Sequence, residues 1–407
     1  MSDMKAILLE LISPKDSITA SQLAVLTDAH WQQLIHMARE HRIAPLLYWR
    51  LKEKKLQLPA VLWQTLKEYY QRAVIRGLTM QAELLKLHQL LEQAGIAHIA
   101  LKGSYLSYFV YPNPALRPMR DIDLLIPDEQ LMAAYQLLLA QGYVHPPKYQ
   151  GDVQSAQAML KHLMPLQSPS QVVVELHNKV LNPDDWPGED LTTDPHFWAR
   201  CRDVDMAGRT IHFMSATDLL LHLIIHASYD HKFNNGPLIL SDIAFLIQKE
   251  PIDWALFWQK AEEGGGCDGC SLVLYMLKLY DERVDIQGLQ TVGRGGQALA
   301  QDAKYFYELT LQDYHARGDQ ILLSNLMRDG WWHKIWILTR KIFPSKTNIS
   351  LQFPVSRHSP FVYCYYPLRW LYILQRLPAV FKSNQQQELN HQAKKLAVLL
   401  QWFDEKE

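Results

Sequence analysis

Cysteine is scarce in this chain. Cys201, Cys267, Cys270 and Cys364 are the four thiols among 407 residues, too few for a disulfide scaffold. Long apolar runs are also missing. No stretch approaches the roughly 18–20 residues that a membrane-crossing helix needs, so no membrane partner is expected. An excess of one charge is missing too: 41 Lys and Arg face 42 Asp and Glu, for a net charge of −1. Nucleic-acid binders favour a basic face, so the overall charge weighs against DNA or RNA. Met1 to Pro14 lacks the basic segment and apolar core of a secretion signal, and the expectation is a cytoplasmic protein. No fixed-period repeat is present.

What remains is ordinary globular material. Hydrophobic residues make up 48% and charged residues 20%, enough for two or three domains of about 100–200 residues each. The patterning suggests three segments. Residues 1–77 read as an N-terminal helical region, with Trp31, Leu34, Ile35 and Ala38 at helical spacing. Residues 78–200 read as an α/β core. Residues 201–407 return to helical patterns interrupted by Pro, Ser and Asn loops, with a glycine-rich turn between Glu262 and Asp268.

The core holds the most specific signal. Thr79 to Gly95 predicts an amphipathic helix ended by its glycine. Ile96 to Leu101 predicts a short buried strand, and Tyr105 to Tyr111 a short helix stopped by Pro112 and Pro114. Lys102-Gly103-Ser104 therefore sits at a strand-to-helix turn, where backbone N–H groups and the positive helix end can hold phosphate. Downstream, Asp121-Ile122-Asp123 lies inside an apolar run. On a strand these two residues share a face, with Cα atoms about 6.6 Å apart, while Ile122, Leu124 and Ile126 anchor the opposite one. Mg²⁺ is held by such carboxylates together with substrate phosphates. Arg117 and Arg120 precede the pair and can offset triphosphate charge. A second strand, Val172 to Asn178, carries Glu175 and His177 on one face. Glu175 supplies a third acid. His177 reads equally as a general base or as a partner for buried polar groups.

These residues resemble the DNA-polymerase-β-like nucleotidyltransferase superfamily in its order of strand, Gly-Ser turn, short helix, D-x-D strand and later single acid. They are more closely similar to the uncharacterised bacterial nucleotidyltransferase family proteins. Those share Lys102-Gly103, Tyr111-Pro112, Arg117 and Asp121-Ile122-Asp123-Leu124-Leu125. The likeness extends to His41 through Tyr48 and to the His-rich stretch Leu219 to His231 followed by Asp242. Two features depart from the superfamily pattern. Sixteen residues, 105 to 120, separate Ser104 from Asp121, and the third acid is Glu.

The resemblance implies an α+β fold with a small mixed sheet, flanked by helical regions. It implies Mg²⁺-dependent (or Mn²⁺-dependent) transfer of a nucleoside monophosphate from an NTP, with ATP expected, to an unidentified small-molecule, peptide or protein acceptor. Asp121, Asp123 and Glu175 would be the catalytic metal ligands. Lys102, Gly103, Ser104, Arg117, Arg120, His177 and His226 would surround the nucleotide. The alternative is a non-catalytic nucleotide-binding or antitoxin-like partner that retains the fold.

Other motifs read more plainly. His222 and His226 are four apart on one helix, but no glutamate makes them HExxH; they read as core or supporting histidines before a substrate contact or a separate zinc site. Cys267-Asp268-Gly269-Cys270 lacks a second pair. Trp331, Trp332 and Trp336, like Phe361 to Tyr366, read as core aromatics.

Overall fold

Capping chemistry starts the helical N-terminal part. The computed structural model describes residues 4–289 except 15–17, 57, 147–150, 154–155, 158–159, 183–187 and 234–235; beyond 289 it describes 335, 339–340, 342–371, 393–394 and 396–398. Among these, helices α1 (Met4–Ile12), α2 (Ala20–Ala24), α3 (Asp28–Glu40), α4 (Ala44–Glu53) and α5 (Ala60–Gln93) precede the first strand. Thr27 opens α3 with a reciprocal capping box to His30, which satisfies two otherwise orphaned N–H groups. Trp31, Leu34, Ile35 and Ala38 are buried as their spacing predicts. Pro45 sits in the first turn of α4, where its missing N–H costs nothing. The Trp331, Trp332 and Trp336 cluster lies outside the described residues.

The helix expected from Thr79 starts much earlier. Helix α5 spans 34 residues and runs through the expected segment boundary at residue 77. Its end matches expectation: Gly95 adopts φ +67°, and the N–H groups of Gly95 and Ile96 donate to the carbonyls of Glu92 and Leu91. That is the paired bonding of a Schellman stop. Mid-helix, Arg76 donates to the Arg120 carbonyl (3.2 Å), and the Gly77 carbonyl accepts from the Tyr108 hydroxyl (2.7 Å).

A six-stranded mixed sheet follows, giving the expected α+β class. Its strands are β1 (Ile99–Ala100), β2 (Asp121–Leu125), β3 (Leu166–Gln167), β4 (Val173–His177), β5 (Arg202–Met206) and β6 (Arg209–Phe213), in the order β3-β4-β2-β1-β6-β5. Strand β2 runs parallel to β4 and antiparallel to β1, and β1 runs parallel to β6. Strands β5 and β6 form a hairpin beyond residue 200, where helices were expected. Ala207 and Gly208 at its tip both have positive φ, the pairing that two-residue hairpins require.

Between β1 and β2, a short turn α6 (Gly103–Tyr105) passes into a π turn, Leu106–Val110, that stops before Pro112. Helix α7 (Asp128–Ala140) follows β2. Ser215 then caps α8 (Ala216–Ile225) through the Asp218 N–H, and α8 continues into a second π turn, His226–Asp230. Helices α9 (Leu238–Lys249), α10 (Trp254–Glu263) and α11 (Cys267–Tyr280) pack around it. Cys270 is buried in α11, and the CxxC pair sits on a helix with both thiol pKa values pushed up by burial. One apolar core joins the N-terminal helices, the sheet and these later helices. Val362 of the Phe361 to Tyr366 stretch is buried in a small separate cluster with Ile349 and Val355, whereas Phe361 and Tyr363 are exposed.

A histidine pair on the far side of β1 makes stability pH-dependent. His98 is buried; its Nδ1 lies 2.9 Å from the Ile96 carbonyl and its Nε2 lies 2.8 Å from His88 Nδ1. Burial lowers its pKa to about 4, so the folded chain keeps it neutral while the unfolded chain protonates near 6.5. Its contribution is therefore complete above pH ~6.5 and is lost as pH falls toward ~4. Urea unfolding should show about 2 kcal/mol less stability at pH 5 than at pH 7 from this group. The His98→Gln variant should lose that share of the pH dependence; an unchanged profile would refute the assignment.

Candidate active site

Strand pairing builds the site. Register sets Asp121 opposite Val173, Asp123 opposite Glu175 and Leu125 opposite His177. Residues two apart share a strand face, so Asp121, Asp123, Glu175 and His177 converge from two adjacent strands. Ile122, Leu124, Val174 and Leu176 are buried on the other face, which fixes this register, since a one-residue slip would put the acids in the core.

The side chains meet closely. His177 Nε2 lies 3.3 Å from Asp123 Oδ1 and 3.6 Å from Glu175 Oε2. Lys102, held at φ +40° at the end of β1, places its Nζ 4.0 Å from Asp123 Oδ2. His162 is bridged to His177 in antiparallel fashion, with Nε2 3.8 Å from Glu175 Oε2. All of these face one cavity of about 740 Å³.

Electrostatics divide the acids. Burial, then Asp123 and Glu175, push the Asp121 pKa up to about 7. Burial also opposes ionisation of Asp123, but Lys102 and then His177 outweigh it and hold this carboxyl low. Glu175 is held low in the same way, with the His177 hydrogen bond overcoming burial. For His177, burial favours the neutral ring, yet hydrogen bonds to Asp123 and Glu175 raise its pKa. The metal-free site therefore has two carboxylates matched by cations and a third that is short of positive charge.

The residues expected to meet phosphate divide by position. Gly103, Arg117 and Arg120 line the cavity with Lys102. A Cβ on Gly103 would come within 2.6 Å of Arg117 Nη1, so only glycine lets the turn and this guanidinium approach so closely. Arg117 is held in a two-pronged pair with Asp242, at 2.9 and 3.0 Å, and Tyr111 also donates to Asp242 (2.7 Å). Ser104 is not brought to the cavity: its hydroxyl is buried without a partner among the described residues, and its N–H donates to the Leu101 carbonyl. His226 lines the cavity, whereas His222 is wholly buried beside it in α8. Neither ring nitrogen of His222 has a hydrogen-bond partner among the described residues.

Three cavity residues carried little signal in the sequence. Lys161 and His162 lie in a stretch without clear periodicity and are placed by the antiparallel bridge to β4 and by the Lys161–Asp230 ion pair. Asp230 follows a helical pattern that gives no sign of its change to a π turn.

The mixed sheet thus brings Asp121, Asp123 and Glu175 together on neighbouring strands beside the Lys102-Gly103 turn. The family described as "Uncharacterised nucleotidyltransferase" matches residues 27–280, more than half of the chain, and the protein belongs to that family. No curated protein and no solved structure matches it. Among the described residues, no helix is long and apolar enough to cross a membrane.

Proposed function

We propose that this chain transfers a nucleoside monophosphate from an NTP to an acceptor hydroxyl and releases pyrophosphate. The observation that carries this reading is the register of β2 on β4, which pairs Asp123 with Glu175 and sets Asp121 beside them on the cavity wall.

The donor set fits a hard divalent cation. Ligand atoms of Asp123 and Glu175 lie within 4.8 Å of each other and of His177, and Asp121 lines the same cavity. The raised Asp121 pKa marks a place where added positive charge would be stabilising. Bound there, Mg²⁺ or Mn²⁺ would neutralise phosphate charge and lower the pKa of the attacking hydroxyl. Asp121, Asp123 and Glu175 would be its ligands. Lys102 and Arg120 would face the phosphates across the cavity, and the Gly103 backbone would approach them closely. Arg117, tied to Asp242, would position the turn more than carry free charge. Ser104 would support the turn through its backbone. His177 would orient Asp123 and Glu175, and His226 lines the same cavity. ATP is the first nucleotide to test, and the acceptor would be a small molecule, peptide or protein.

Thermal melting with ATP, GTP, CTP and UTP, each with and without Mg²⁺, tests the reading. A nucleotide at about 100 times its Kd stabilises the native state by roughly 2.7 kcal/mol. The wild type should show a Mg²⁺-dependent shift that Asp121→Ala/Asp123→Ala lacks. A shift retained in that variant would refute the metal role of the two aspartates. Nucleotide binding with no pyrophosphate release would favour a non-catalytic binding protein.

A further inference from the structure

The second π turn does something an α-helix cannot. A π turn closes i→i+5 bonds, and here the His231 N–H donates to the His226 carbonyl at 3.0 Å. That bond sets His231 beside His226, with Asp230 next to both. His226 Nε2 lies 3.2 Å from His231 Nε2 and 3.8 Å from Asp230 Oδ2. One ligand atom from each residue falls within a 4.8 Å circle. Two nitrogens bound at ~2.0–2.1 Å to one tetrahedral ion lie about 3.3 Å apart, close to the observed separation. The rings meet edge to face at 62°, with centroids 4.3 Å apart.

We propose that His226, Asp230 and His231 form a second metal site, separate from the acids of β2 and β4, for a first-row divalent ion such as Zn²⁺. Two imidazoles and one carboxylate suit such an ion better than Mg²⁺, which prefers oxygen donors. Three protein ligands leave a fourth position for a water or a substrate oxygen, as in open zinc sites. All three residues line the 740 Å³ cavity, so that position faces the space where a substrate would sit. Lys161 competes for the carboxylate, with Nζ 2.5 Å from Asp230 Oδ2. A carboxylate has about four lone-pair directions, enough for a lysine and a cation together. The site stands on this cluster alone and does not depend on nucleotidyl transfer.

Zn²⁺ and Co²⁺ titration of the untagged, metal-stripped full chain tests it, read by calorimetry and by visible Co²⁺ absorption. The Asp121→Asn/Glu175→Gln variant serves as the background, since it removes two acids of the other cluster. One equivalent of Zn²⁺ should bind there. His226→Ala or His231→Ala should weaken it at least tenfold and abolish the Co²⁺ band, with melting curves reporting the fold. His231→Gln, which keeps polarity and bulk but not the imidazole, should do the same should the alanine variant fail to fold. No Zn²⁺ bound in the background variant overturns the proposal, as does an unchanged Kd in a folded His231→Gln protein.

Discussion

Asp121→Asn, Asp123→Asn and Glu175→Gln should each lower nucleotide-dependent pyrophosphate release by at least about a thousandfold. Metal-assisted charge stabilisation contributes several kcal/mol to a transition state, and each 1.36 kcal/mol is a factor of ten in rate. Each substitution keeps side-chain volume and removes only the charge. Packing of Ile122, Leu124 and Leu176 on the opposite face should therefore survive, and the assay is run below each variant's melting temperature so that the loss is read as turnover. The assay would follow pyrophosphate from ATP and Mg²⁺, with a desalted cell extract as the source of acceptor. Turnover within a few fold of wild type in a folded Glu175→Gln chain would remove Glu175 from the site. The same result for both aspartates would end the nucleotidyl-transfer reading.

The two aspartates should have opposite effects on metal-free stability, although they are two residues apart on one strand. Asp123 faces Lys102 at 4.0 Å and His177 at 3.3 Å. Removing one partner of a buried charge pair costs about 3–5 kcal/mol, because the other charge is left behind. Asp123→Asn should therefore lower the melting temperature markedly. Asp121 is the reverse case. Burial and its two acidic neighbours raise its pKa to about 7, against ~3.9 in an unfolded chain. A carboxyl with a raised folded pKa stabilises fully below the unfolded value, and that stability is lost as pH rises through the folded one. At pH 8, Asp121→Asn should accordingly stabilise the metal-free protein, by on the order of 1 kcal/mol or more. The gain should vanish at pH 4, where the wild-type carboxyl is already protonated when folded. Melting curves for both variants at pH 8 and in a chelator decide the matter. Equal destabilisation by the two would refute the raised Asp121 pKa.

The residues show why some of this was legible in the sequence and some was not. The strand β2 was readable because Ile122, Leu124 and Ile126 alternate with two acids, a pattern that only a strand with one buried face produces. Gly95 announced a helix end because left-handed backbone favours glycine. The cluster of Asp121, Asp123 and Glu175 followed from placing two such strands side by side. Lys161 and His162 were not legible: their place depends on the bridge to His177 and the Lys161–Asp230 ion pair rather than on any local period. The hairpin of β5 and β6 was missed because its tip is Ala207-Gly208, a weaker turn signal than Asn-Gly. The π turns left no trace either, since one extra residue in a helical turn barely disturbs an apolar stripe. The length of α5 was hidden as well, because its first half is largely exposed and its stripe is faint.

Helix α5 also limits how this protein can be shortened. It is about 51 Å long at 1.5 Å per residue, and its middle holds two tethers, Arg76 to the Arg120 carbonyl and the Gly77 carbonyl to Tyr108. One tether ends on the residue just before the aspartate strand, and the other on the π turn after the Lys-Gly corner. A version beginning at residue 78 would start in mid-helix and lose both, leaving Arg120 and the first π turn without their outer brace. Anyone seeking a minimal active fragment would have to carry this whole rod along with the sheet.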